Sequence, residues 1–112
     1  MLDRDTALQE IVRRIVEVAH PQRIVLFGSA ARGQMGFHSD FDLLVIKAGP
    51  VHRGHLEAEI YRCLGGVGQP VDVIVATCED IERYGQSAGL VYREALRDGK
   101  VLYDETGALL PR

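Results

Sequence analysis

The sequence predicts an α+β fold in which a central mixed β-sheet is flanked by helices. Three observations predict it. Short, β-branched apolar runs alternate with longer stripes of helical period. The link between the first two apolar runs is too short for a comfortable parallel crossover, so that pair is expected to be antiparallel. The second and third runs are joined by a helical stretch, a βαβ unit that makes them parallel.

From Thr6 to Ala19, Leu8, Ile11, Val12, Ile15, Val18 and Ala19 recur on one helical face, with Thr6 and Gln9 placed as a capping box and Pro21 closing the helix. Arg23-Ile24-Val25-Leu26-Phe27 is β-branched and ended by glycine, which reads as a buried strand. Ser29 to Arg32 then reads as a short helical turn ending at Gly33. Asp40 to Lys47 is a second strand, acidic at its start and apolar afterwards, and Gly49-Pro50 ends it. His55 to Leu64 carries the stripe Leu56, Ile60, Cys63 and Leu64, and a glycine-rich loop leads to a third strand, Val71 to Ala76. Thr77 is placed to cap a short helix through Tyr84, and Ser87 another through Asp98, closed by Gly99. Val101-Leu102-Tyr103 forms a last edge strand. With this order, the end of the first strand and the starts of the second and third should share one edge of the sheet.

At 112 residues and 12.4 kDa the chain is expected to be one domain, residues 1–112, with a single core. Its balance of 46% hydrophobic and 26% charged residues is that of a soluble globular protein, and no apolar run reaches membrane-spanning length. Asp3, Arg4 and Asp5 occupy the place where a signal peptide would turn apolar. Cys63 and Cys78 lack the paired spacing of a zinc site or disulfide framework and are read as reduced, cytoplasmic thiols. A net charge of −3 and a pI near 5.8 argue against a broad, sequence-independent grip on nucleic acid.

Chemistry concentrates between Leu26 and Val45. Alternation along a strand points Asp40 and Asp42 the same way, about 7 Å apart. Two carboxylates this close repel unless a cation sits between them. Mg²⁺ suits such a pair, because it takes one or two carboxylates and completes its shell with water and phosphate oxygens. Asp72 repeats the pattern one strand over, and the parallel βαβ geometry brings it beside the first two. At the same edge, Gly28 allows close backbone approach, and Ser29 with the N–H groups of the following turn makes an anion site. Arg32 is placed to pair with a phosphate or an aspartate, while Gly33 ends the turn. Each feature also has a plain structural reading: a solvated strand start for the aspartates, a helix cap for Gly28-Ser29. His52 and His55 read as a solvated helix start, His38 as a loop histidine and Ser39 as a turn residue.

Taken together, Gly28-Ser29, ten residues, Asp40-Phe41-Asp42, with Arg32-Gly33 in the gap and Val71-Asp72-Val73 downstream, resembles the G-S-x10-D-x-D signature of the DNA polymerase β-like nucleotidyltransferase superfamily. The resemblance covers Ile24 to Glu105, and the tail "REALRDGKVLYDE" is similar to the minimal nucleotidyltransferases. It implies a nucleotidyltransferase fold in which Asp40 and Asp42 hold two Mg²⁺ ions and Asp72 is the third carboxylate of that metal site, placing or deprotonating the attacking hydroxyl. Gly28 and Ser29 would grip the β- and γ-phosphates of ATP. It further implies a partner: minimal nucleotidyltransferases are similar to antitoxins that transfer AMP to a tyrosine of a HEPN-type toxin protein. Two other readings stay open at this point. One is a binding module that neutralises a partner by covering it, the other an enzyme that modifies a small molecule as a dimer.

Overall fold

The computed structural model describes residues 4–28, 40–84 and 91–106. In chain order these form helix α1 (Arg4–Ala19), strands β1 (Arg23–Phe27) and β2 (Phe41–Lys47), helix α2 (Arg53–Cys63), strand β3 (Val71–Thr77), helices α3 (Cys78–Tyr84) and α4 (Val91–Asp98), and strand β4 (Lys100–Asp104). The sheet order is β3-β2-β1-β4. β1 pairs antiparallel with both β2 and β4, and β2 pairs parallel with β3, so the sheet is mixed as the connection lengths predict.

Side-chain alternation divides the core between the two faces of the sheet. Ile24, Leu26, Phe41, Leu43, Val45, Val73 and Val75 pack with Ile11 and Ile15 of α1 and Leu56 and Ile60 of α2. Val25, Phe27, Leu44, Ile46 and Ala76 face the other way, onto Ala95 of α4, with Ile81 of α3 packed beside them. β2 is covered on both sides, which is why it reads as one continuous apolar run rather than an alternating one. The same alternation puts Asp42 on the face of Leu44 and Ile46, the side that α3 and α4 cover.

The helix ends carry the largest departures from expectation. α1 is already helical at Arg4, so Thr6 lies inside its first turn and the Thr6–Gln9 capping box does not form the helix start. Its other end is as predicted: the His20 N–H donates to the Val16 carbonyl at 3.0 Å, His20 turns left-handed at φ 48°, and Pro21 cannot continue the helix. α2 begins at Arg53, two residues before the predicted start, because the His52 Nδ1 accepts from the His55 N–H at 3.0 Å. The two histidines are thus a cap, as their spacing without a third ligand suggests. Thr77 and Asp80 form the capping box of α3 reciprocally: the Asp80 N–H donates to Thr77 Oγ1 at 2.9 Å, and the Thr77 N–H to Asp80 Oδ2 at 3.0 Å. The predicted turn at Ser29 to Arg32 and the Ser87 cap lie outside the described residues.

Candidate active site

Strand direction builds the site. Because β1 runs antiparallel to β2, its last residue, Phe27, sits opposite Asp42. Because β3 runs parallel to β2, Asp72 falls level with Asp42. In-register neighbours on adjacent strands point to the same face, so the two carboxylates stand side by side across the ladder. Asp40 lies one residue before β2, not inside it. The Phe41 N–H nevertheless donates to the Pro70 carbonyl at 3.1 Å, which carries the pairing up to Asp40. Three acids separated by up to 32 positions therefore meet at one edge, where β1 also ends.

Gly28 closes that edge. Its φ of +75° lies in the left-handed region that glycine adopts without strain. A Cβ there would also run into the Asp42 carboxylate, ending 3.3 Å from Cγ and 3.5 Å from Cβ. The backbone conformation thus calls for glycine, and a Cβ there would push the Asp42 carboxylate aside. Ser29, Arg32, Gly33, His38 and Ser39 lie outside the described residues.

Among the described residues, the site is short of positive charge. Asp42 is half-buried, and burial pushes its carboxyl above the ordinary carboxylate range, followed by repulsion from Asp72, Asp40 and Glu94. Glu94, an exposed residue on α4, escaped the sequence reading. Its local pattern is that of any charged helix position, and its bearing on Asp42 comes only from the docking of α4 over the second sheet face. Among the described residues, no three His, Cys, Asp or Glu side chains are close enough to hold an ion by protein ligands alone. Magnesium does not require such a cage, since water and phosphate oxygens fill most of its octahedron. Carboxylates without a cationic partner among the described residues, beside the missing Cβ of Gly28, fit that donor demand.

Two surface clefts lie elsewhere. One, between Pro50, Val51, Arg53, Thr77 and Asp80, is at the opposite edge of the sheet, where Arg53 Nη1 and Asp80 Oδ2 already pair at 2.9 Å. The other, beside Arg14, Val18 and Cys63, runs between α1 and α2. The Cys63 thiol there is pushed up, chiefly by burial. Neither Cys63 nor Cys78 is in a disulfide.

No helix among the described residues is long and apolar enough to cross a membrane. No curated protein matches the chain in sequence. Among solved structures, the chain resembles a candidate nucleotidyltransferase from Sulfolobus solfataricus, at 20% identity and a TM-score of 0.64, covering 95% of this chain and 85% of that one. It also resembles a chain of a toxin-antitoxin structure with AMP-PNP, at 22% identity and a TM-score of 0.55, covering 86% and 73%. At these identities the likeness is one of fold. The nucleotidyltransferase domain model matches residues 6–102, nearly the whole length and every strand start that forms the acidic edge, so this chain belongs to the nucleotidyltransferase domain family.

Proposed function

We propose that the protein is a Mg²⁺-dependent adenylyltransferase that moves AMP from ATP to a hydroxyl of a partner protein, a tyrosine of a HEPN-type toxin, and thereby acts as an antitoxin. The observation that carries the catalytic part is the register of Asp42 with Asp72 beside the end of β1, which puts Asp40, Asp42, Asp72 and Gly28 at one edge. Asp40 and Asp42 would hold the metal, whose charge, when bound, offsets that of the phosphates and of the oxygens entering and leaving. Gly28, with Ser29 beyond it, would let the backbone approach the β- and γ-phosphates, and Arg32 would pair with phosphate.

Asp72 has a different task. It is exposed, at the outer strand, and level with Asp42, so it is placed to take the proton of an incoming hydroxyl. The hydroxyl oxygen bonds to the α-phosphorus, the bond from that phosphorus to the β-phosphate oxygen breaks, and pyrophosphate leaves. The toxin-antitoxin structure with AMP-PNP, sharing this fold, supports an adenine nucleotide and a toxin-antitoxin setting.

The test is transfer of label from α-labelled ATP to the protein encoded beside this one, after co-expression. Labelling of a tyrosine is expected, with its loss in Asp42→Ala. Undiminished labelling by Asp42→Ala would rule out the reading. Neutralisation of the partner by Asp42→Ala without nucleotide would show instead that the protein works by covering its target.

A further inference from the structure

β3 is the outer strand of the sheet, so one row of its backbone N–H groups faces away from β2. Pro70 offers its carbonyl to β2, so the residues facing outward are Val71, Val73, Val75 and Thr77. Three of these N–H groups are taken by side chains. Val73 donates to the Tyr61 hydroxyl at 2.7 Å, Val75 to Glu57 Oε2 at 3.0 Å, and Thr77 to Asp80 Oδ2 at 3.0 Å. Glu57 and Tyr61 are one turn apart on α2, flanking the buried pair Leu56 and Ile60 that seats the helix on the sheet. Tyr61 is 45% exposed, so burial of its ring does not account for its place; its hydroxyl does the holding.

The residue that Tyr61 holds is next to Asp72. Asp72 lies at the start of an outer strand, where pairing comes from β2 alone and opening is easiest. We propose that Tyr61 is a positioning residue for nucleotidyl transfer: by fixing the backbone at Val73 it keeps the Asp72 carboxylate level with Asp42. This rests on the reading of Asp72 as the third carboxylate. Glu57 and Asp80 tie the strand further along, away from the site, so their bonds serve the edge and not the carboxylate.

Tyr61→Phe keeps the ring and removes the oxygen. Val73 is buried, so the variant leaves its N–H without that partner, and thermal unfolding checks that the variant stays folded. Amide exchange at Val73 is expected to accelerate about fivefold, with Leu43 and Leu44 in β2 unchanged, since loss of one bond is worth roughly 1 kcal/mol. In the label-transfer assay kcat should fall about tenfold and KM for ATP should change less than about twofold, because misplacement affects the acceptor side alone. Glu57→Leu, which loosens the same strand two residues on, should leave kcat within about twofold. The decisive comparison is Tyr61→Phe added to Asp72→Asn: no further loss is expected, whereas multiplied losses would mean that Tyr61 is merely structural. Full kcat in Tyr61→Phe, while Asp72→Asn is crippled, would overturn this inference alone. Full kcat in Asp72→Asn would overturn the reading beneath it.

Discussion

At the scale of single residues, Gly28 and Asp42 are one design. Gly28→Ala places a methyl group against the Asp42 carboxylate and forces an L-residue to φ +75°. The backbone alone costs about 1–2 kcal/mol, and the carboxylate must move as well. Denaturant unfolding should report that loss, and calorimetry should find Mg·AMP-PNP binding weakened by at least about tenfold. The sequence made both residues visible, because a glycine ending an apolar run and aspartates opening the next are local signals. It left Glu94 and Tyr61 hidden, since an exposed Glu or Tyr on a helix looks alike wherever the helix docks. Asp42 also sets a pH dependence. Its folded carboxyl titrates above its unfolded value, by burial first and then by Asp72, Asp40 and Glu94. The folded state therefore binds the proton more tightly, and the contribution to stability present below the unfolded value of 3.8 is lost as pH rises through the folded one. Metal-free Asp42→Asn should accordingly be more stable than the parent at pH 7, with a flatter stability profile over that window. A parent profile already flat there would contradict the assigned repulsion.

At the scale of elements, short contacts between helix ends and strands decide how the edge is held. α4 ends on Gly99, whose N–H donates to the Ala95 carbonyl at 3.0 Å. A Cβ at Gly99 would lie 2.5 Å from Val25 Cγ1 and 2.8 Å from the Leu26 carbonyl oxygen, as well as against the Ala95 carbonyl. Backbone atoms cannot yield as a side-chain tip does, so Gly99→Ala should displace α4 from β1 and cost about 1–3 kcal/mol, read by thermal unfolding. α4 also carries Glu94, so the displacement should move the field at Asp42. On the other face, Arg14 joins α1 to the end of α2, its Nη1 donating to the Cys63 and Gly65 carbonyls, each at 3.1 Å. These links show what local pattern misses. All four strands were legible to within a residue or so, because β-branched runs bounded by glycine and proline are local. The start of α1 was not, since Thr6–Gln9 is only a pattern compatible with a cap and the preceding residues continue the helix instead.

At the scale of the whole molecule, one antiparallel and one parallel pairing suffice to bring the end of β1 and the starts of β2 and β3 to the same edge. The pairings bring Asp72 to the neighbouring Asp40 and Asp42, and the docking of α4 adds Glu94, so the repulsion of these distant acids on Asp42 is a cost of folding. A cation with a nucleotide that binds only this gathered arrangement stabilises the folded state by mass action, about 2.7 kcal/mol at a hundredfold excess over Kd. For a domain of this size each kcal/mol moves Tm by roughly 4–8 °C. Magnesium with AMP-PNP should therefore raise Tm by several degrees or more, and EDTA should return it. Magnesium alone should act more weakly, since phosphate oxygens supply most of the shell that the carboxylates leave open. Asp42→Asn should start from a higher Tm at pH 7 and gain little from magnesium with nucleotide. A shift as large in Asp42→Asn as in the parent would place the binding elsewhere on the fold, and the acidic edge would then be only a set of strand starts.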